Sequence, residues 1–195
     1  PEILPVNSNG QRMSFGGRHH DCQSNRTYRE HIRRFVTAMA ERFKDHPYVI
    51  GWQIDNELGN SHEDLCMCDS CRKAFQEWLQ KKYHTIECLN KEWGTGFWSQ
   101  DYDRFDQIPV PRKAPTLHNP SLLLDFKRFC SDLVVDFQNF QIDLIRQIAP
   151  HQKITHNMMG FYDKTDYYKL AEKLDFSRKR IKDLLDEGNV LVNQK

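Results

Sequence analysis

A short apolar segment that ends in three polar side chains sets the strongest limit on how this chain can fold. Residues 49–54, VIGWQI, have the length and composition of a strand that is buried on both faces of a parallel sheet. The chain leaves this segment through Asp55, Asn56 and Glu57. In parallel α/β folds the carboxyl ends of the strands carry most catalytic groups. The segment therefore favours a catalytic site at the carboxyl end of this strand. The alternative is a polar loop start whose side chains only satisfy backbone groups.

Helical periodicity predicts helices on both sides of this strand, which we place at 48–55. Thr27 and Glu30 have the spacing of a capping box and predict a helix over 27–45. A second strand is expected at 153–160, and it leaves through His156 and Asn157. Alternating helices and strands predict an α/β fold, either a β/α barrel or a doubly wound sheet. The other expected helices cover 68–83, 85–93, 120–149 and about 166–173.

The composition describes an ordinary globular chain and excludes several kinds of partner. The 195 residues are 38% hydrophobic and 28% charged, which suits one domain with a buried core. The formal net charge of +1 gives no electrostatic case for nucleic acid or an anionic membrane as a partner. No apolar run approaches the roughly 20 residues that span a bilayer, and no leader is visible, so a cytoplasmic protein is expected. Pro1 in place of a starting Met suggests a piece of a longer chain.

Three cysteines crowd together where a helix is expected to begin. Cys66, Cys68 and Cys71 have the spacing C-x-C-x-x-C. A helix N-terminus stabilises thiolates, which are the form of cysteine that binds metal ions. The spacing therefore favours a zinc site, and the alternative is a group of reduced thiols without a metal.

Tetrahedral zinc requires a fourth ligand beyond these three sulfurs. Cys22 is the preferred candidate, and the substitutes are His19, His20 and His62. Four sulfur ligands leave no position open for a substrate or an activated water, so the expected zinc is structural.

Eight stretches keep, over residues 1–176, the order in which one enzyme family has them. They are PEILPV, GRHHDC, HPYVIGWQIDNELG, CMCDSC, AFQEWLQKKYHTIECLNKEWGTGFWSQ, IPVPR, NPSLLLDFKRF and THNMMGFYD. By these stretches the chain resembles the catalytic domain of family 42 glycoside hydrolases, the bacterial β-galactosidases. The resemblance implies a partial (β/α)8 TIM barrel around strands 4 to 6, with residues 177–195 as a divergent polar tail.

The resemblance also implies an activity, the retaining hydrolysis of terminal β-D-galactosides, and the residues that serve it. Glu57 matches the general acid/base at the end of the fourth strand, and Asn56 matches its neighbour that hydrogen-bonds the 2-hydroxyl of the sugar. Arg18 matches a galactose contact, and Trp98 matches an aromatic wall of the sugar site. The family's structural zinc ligands correspond to four cysteines: Cys22, Cys66, Cys68 and Cys71.

Two further expectations come from the same resemblance. Full-length relatives are homotrimers, and their nucleophilic glutamate lies on the seventh strand, which this chain does not reach. A fragment with little or no turnover of its own is therefore expected. The alternative is a zinc-stabilised structural or interaction module that keeps sugar-site residues without catalysis.

Overall fold

The computed structural model describes residues 2–16, 21–58, 65–157 and 173. The chain divides into two compact units. The first consists of Pro1–Glu30 and Ser61–Leu133, and the second of His31–Asn60 and Val134–Lys195.

The observed elements confirm the predicted order of helices and strands. Both strands are shorter than predicted, at three residues each. The elements are α1 (Arg26–Phe43), β1 (Gly51–Gln53), α2 (Asp69–Tyr83), α3 (Ile86–Trp93), α4 (Pro120–Ile148) and β2 (Lys153–Thr155), with two short 3-10 helices at Phe97–Ser99 and Phe105–Gln107. The helix predicted near 166–173 and the tail 177–195 lie, apart from residue 173, outside the described residues.

The two strands form a parallel pair within the second unit, which confirms the α/β prediction. Trp52 lies opposite Ile154, and Gly51 lies opposite Lys153. Glycine is required at position 51, because a Cβ atom there would lie 2.6 Å from the carbonyl oxygen of Lys153. Ile154 is fully buried, as expected for a strand in a layered α/β fold.

Side chains at the helix ends explain where the helices begin. Asn119 accepts a hydrogen bond from the backbone N–H of Ser121 at 2.8 Å, as the Asn-Pro sequence predicts for the start of α4. The capping box predicted at Thr27 and Glu30 is wrong, because α1 begins at Arg26. Its cap is Asn25, whose Oδ1 accepts from the N–H of Tyr28 at 3.0 Å.

The first unit has an aromatic core with a buried carboxylate at its margin. Phe75 on α2 meets Phe126 on α4 edge to face, with 5.2 Å between ring centroids. Asp125 is 1% exposed. Its carboxylate accepts hydrogen bonds from four side chains: Lys82 at 2.5 Å, Tyr83 at 2.6 Å, Trp93 at 3.1 Å and Arg128 at 3.1 Å. One charged group therefore joins α2, α3 and α4.

No helix in the described part of the chain has the length and apolar character needed to cross a membrane.

Candidate functional site

The turn that follows β1 carries the three polar residues singled out in the sequence. Asp55 and Glu57 both have a φ of 51°, in the left-handed region that residues with a Cβ rarely adopt. Such strain costs on the order of 1 kcal/mol per residue and persists only where surrounding contacts enforce it. Asp55 contributes one such contact, because its carboxylate accepts from the N–H of Asn56 at 2.8 Å. Asn56 is exposed and Glu57 is half-buried.

His156, which directly follows β2, holds both ends of this turn. Its Nδ1 lies against the carbonyl oxygen of Ile54, and its Nε2 lies 3.3 Å from the backbone nitrogen of Leu58. A carbonyl only accepts and an N–H only donates, so Nδ1 carries the proton and Nε2 accepts. Burial lowers the pKa of His156, against the opposing effects of the Ile54 hydrogen bond and the charges of Asp55 and Glu57. The ring is therefore a neutral clamp.

Asn157 holds the middle of the turn. Its Oδ1 accepts from Nε2 of Gln53 at 3.0 Å and from the backbone N–H of Glu57 at 3.4 Å. Its Nδ2 donates to Oδ1 of Asn56 at 2.8 Å. The hydrogen bond from the N–H of Glu57 shows that Glu57 and Asn157 lie at the same carboxyl edge of one parallel strand pair. The catalytic role of Glu57 stays a prediction.

The sequence gives only a weak indication that His156 and Asn157 hydrogen-bond to this turn. Both residues form the polar exit from the second strand, like Asp55–Glu57 after the first, but the sequence pattern indicates no role for either. Placing both polar strand exits at one edge of a parallel sheet predicts that Asn157 lies near Glu57, but it does not predict the hydrogen bonds that His156 and Asn157 make to the turn.

Trp98 lies in the first unit, on an exposed 3-10 turn. It has a φ of 62°, followed by 53° at Ser99, so this turn also contains left-handed residues. The indole is 70% exposed and stacks on Phe97, with 4.9 Å between ring centroids. An exposed aromatic face suits the C–H surface of a sugar, but the predicted sugar contact of Trp98 remains a prediction. Arg18, the other predicted contact, lies outside the described residues.

Four cysteines converge in the first unit, as predicted. Sγ of Cys22 lies 3.4 Å from Sγ of Cys68 and 3.5 Å from Sγ of Cys71, and with Cys66 all four sulfurs lie within 4.8 Å of one another. All four cysteines are free of disulfide bonds. Cys68 is the N-cap of α2, and its sulfur accepts from the backbone N–H of Cys71 at 3.5 Å. The alternative ligands His19, His20 and His62 lie outside the described residues.

The backbone brings the distant Cys22 to this helix start. The N–H of Cys22 donates to the carbonyl of Ile3 at 2.8 Å, and the N–H of Met67 donates to the carbonyl of Val6 at 2.8 Å. The N-terminal segment is thus bonded to both parts of the cluster.

The spacing of the four sulfurs suits a metal ion. Zn–S bonds of about 2.3 Å in a tetrahedron place sulfurs about 3.8 Å apart, close to the observed separations. A hydrogen bond from Cys22 lowers the pKa of Cys68, and hydrogen bonds with neighbouring sulfurs raise the pKa of Cys22 and Cys71. A metal ion bound here would displace the protons of Cys22 and Cys71, because metal ions bind cysteine as the thiolate. The four residues can therefore hold a metal ion.

The fold and the strand edge define the class of protein. Parallel strands, connecting helices and acid and amide groups at the carboxyl edge are typical of α/β enzymes. The sequence model of glycoside hydrolase family 42, described as β-galactosidase, matches residues 1–181. The chain therefore belongs to that family.

Individual relatives agree with this membership. The chain is 47% identical over 177 residues to a β-galactosidase of Thermus thermophilus, a match that covers 91% of this chain and 27% of the relative. It is similar to the crystal structure of a β-galactosidase from the psychrophilic Marinomonas ef1, with a TM-score of 0.86 and 43% identity over 90% of this chain and 27% of that one. A β-galactosidase from Halorubrum lacusprofundi matches with a TM-score of 0.86 and 41% identity, covering 90% of this chain and 26% of that one. The chain spans about a quarter of the length of the curated relatives it matches.

Proposed function

We propose that the chain supplies the acid/base part of the catalytic site of a retaining β-galactosidase, carried on the middle strands of a partial (β/α)8 barrel. The observation that carries the proposal is Glu57 at the carboxyl edge of a parallel strand pair, in a left-handed turn held by His156 and Asn157. Backbone strain enforced by buried contacts is common at active sites. Relatives that share this segment are named β-galactosidases.

The proposed chemistry assigns one role to each residue. Glu57 protonates the departing glycosidic oxygen and then, as a base, activates the water that releases the sugar. Asn56 hydrogen-bonds a ring hydroxyl, Trp98 offers an aromatic face to the sugar's C–H surface, and Arg18 contacts the galactose. A retaining enzyme also needs a second carboxylate about 5–5.5 Å away as nucleophile, which the family places on its seventh strand.

We also propose that the ion held by the cysteine cluster is a structural zinc, bound by Cys22, Cys66, Cys68 and Cys71. With four sulfurs on the metal, no position remains for a substrate, so the zinc would hold the N-terminal segment against the start of α2. When bound, it supplies only structural cross-linking.

Sugar binding by the isolated chain tests the proposed function without requiring turnover. Methyl β-D-galactoside is titrated into ¹⁵N-labelled chain, with methyl β-D-glucoside as the control sugar. We expect the galactoside to shift the resonances of Asn56 and Glu57 and the glucoside to shift them less. Equal shifts from both sugars, or shifts confined to other residues, would count against a galactoside site at this edge.

A further inference from the structure

Three side-chain amides meet at the carboxyl edge of the strand pair, and their hydrogen bonds form one directed chain. Gln53 donates through Nε2 both to the carbonyl oxygen of Asp55 at 3.2 Å and to Oδ1 of Asn157 at 3.0 Å. Asn157 in turn donates through Nδ2 to Oδ1 of Asn56 at 2.8 Å.

Backbone groups fix the direction of this chain. The carbonyl of Asp55 can only accept, so Gln53 must present its nitrogen there. The N–H of Glu57 can only donate, so Asn157 must present its oxygen toward it. Because its oxygen is occupied, Asn157 directs its NH₂ group toward Asn56. Asn56 must therefore accept this hydrogen bond with Oδ1.

This direction determines which way the NH₂ group of Asn56 faces. Its oxygen faces Asn157, so its NH₂ group faces away from the turn on an exposed residue. Among the residues that the structure describes, none takes a hydrogen bond from Nδ2 of Asn56. The nitrogen and oxygen of a free carboxamide are nearly isosteric, so without Asn157 the group could present either atom to a ligand.

We propose that Asn157 is a positioning residue that turns Asn56 into an obligate hydrogen-bond donor, so that this edge selects a ligand oxygen able to accept. The inference rests on the proposed galactoside site. Asn157 thus determines specificity indirectly, through the orientation of Asn56. The NH₂ group of Asn56 can donate to a sugar hydroxyl, but not to an ammonium group, which only donates.

Solvent exchange of the two side-chain amides tests the orientation without any ligand. In ¹⁵N-labelled chain we expect one Asn157 Nδ2 proton to exchange slowly and both Asn56 Nδ2 protons to exchange fast. Slow exchange at Asn56 with fast exchange at Asn157 would overturn the proposal. Because no sugar is present, this outcome is independent of whether the proposed function holds.

Ligand preference tests the consequence of the orientation. The probes are methyl β-D-galactoside and its 2-amino-2-deoxy analogue, at a pH where the amine is an ammonium group. We expect the wild-type chain to bind the ammonium sugar roughly tenfold more weakly, since one hydrogen bond is replaced by two facing donors. Failure of the wild-type chain to bind either sugar overturns the proposed function, while amide exchange still decides the orientation.

Two substitutions separate positioning from folding. Asn157→Asp is nearly isosteric but only accepts, so Asn56 must turn its NH₂ group inward, and the preference should reverse toward the ammonium sugar. The uncharged Asn157→Ala should reduce the preference to about one without reversing it. His151→Ala, at an exposed position just before β2, is the control and should keep the wild-type preference. The proposal is overturned if both Asn157 variants keep the wild-type preference while their backbone spectra outside 53–58 are unchanged.

Discussion

The two ring nitrogens of His156 face backbone groups of opposite hydrogen-bonding character, so the folded chain holds this residue neutral. Burial lowers its pKa from the ordinary value of 6.5. On acidification the unfolded chain therefore binds a proton before the folded chain does. The stabilising contribution is complete above pH 6.5 and is lost as the pH falls through the lower folded pKa.

Urea unfolding measured across this acidic range checks the prediction for His156. We expect the free energy of unfolding to fall less steeply with decreasing pH in His156→Gln than in the wild-type chain. Identical slopes in the two proteins would mean that His156 titrates alike in folded and unfolded chains.

Asp125 is the second residue whose charge state the fold controls. Burial raises the pKa of its carboxyl, but hydrogen bonds from Lys82, Tyr83 and Trp93 together outweigh burial and leave the pKa below its ordinary value. The substitution Asp125→Asn would turn an NH₂ group toward these donors and remove the charge that they stabilise. It should therefore destabilise the chain by about 3 kcal/mol.

Thermal or urea unfolding measures this loss. The control is Asp106→Asn, which removes an exposed ion pair with Arg104 and should change the unfolding free energy by less than about 0.5 kcal/mol. A similar small change in Asp125→Asn would show that the buried carboxylate contributes little.

At the scale of elements, the pairing of β1 with β2 depends on one missing side chain. Gly51→Ala would place a Cβ atom 2.6 Å from the carbonyl oxygen of Lys153, so the strands must separate locally. We expect a loss of about 1–3 kcal/mol in unfolding free energy, typical of forced overpacking. Hydrogen exchange at Ile54, whose N–H donates to Thr155 at 2.9 Å, should also accelerate.

Gly96→Ala is the matched control for this substitution. Its Cβ atom would have its nearest neighbour at 4.0 Å, and the φ of Gly96 is −56°, which any residue adopts. Stability and exchange at Ile54 should stay near wild-type values. Equal effects of the two substitutions would argue against a special role for the close approach at Gly51.

For the molecule as a whole, the cysteine cluster predicts a defined metal content. Chain purified with zinc should hold one zinc ion, and Cys22→Ser should lose it, because three sulfurs and a hydroxyl bind zinc poorly. Cys88→Ser is the control, since Cys88 is exposed and lies outside the cluster. Elemental analysis gives the metal content, and the midpoint of thermal unfolding should fall when a chelator removes the ion. Full zinc content in Cys22→Ser would exclude Cys22 as a ligand.

Turnover is the second property of the whole molecule. Double displacement needs a nucleophile opposite the acid/base that we propose for Glu57, and the match to the Thermus thermophilus β-galactosidase covers 27% of that relative. We expect hydrolysis of a chromogenic β-galactoside by this chain to be indistinguishable from that by its Glu57→Gln variant. Robust turnover that disappears in Glu57→Gln would show that a nucleophile is present within these residues.

The sequence by itself determined the helices, their order and the membership of the cysteine cluster. The helix ends are local features: α3 is capped by Thr85 and ends at the left-handed Gly94, and α4 begins at Asn119, all within a few residues of the atoms they bond. Even the error at α1 is local, since the true cap, Asn25, stands two residues before the predicted one.

Only the tertiary structure decided the register of β1 on β2, the clamp of His156 and Asn157 on the turn, and the direction of the Asn56 amide. The contact between Glu57 and Asn157 joins residues 100 positions apart, and no periodicity in the chain encodes such a pair. The direction of a hydrogen bond is even harder to predict from the sequence, because the residue types Asn and Gln do not indicate which end of the amide will face a backbone donor. That choice is made when folding places the carbonyl of Asp55 and the N–H of Glu57 against these side chains, because each backbone group accepts or donates and cannot do both.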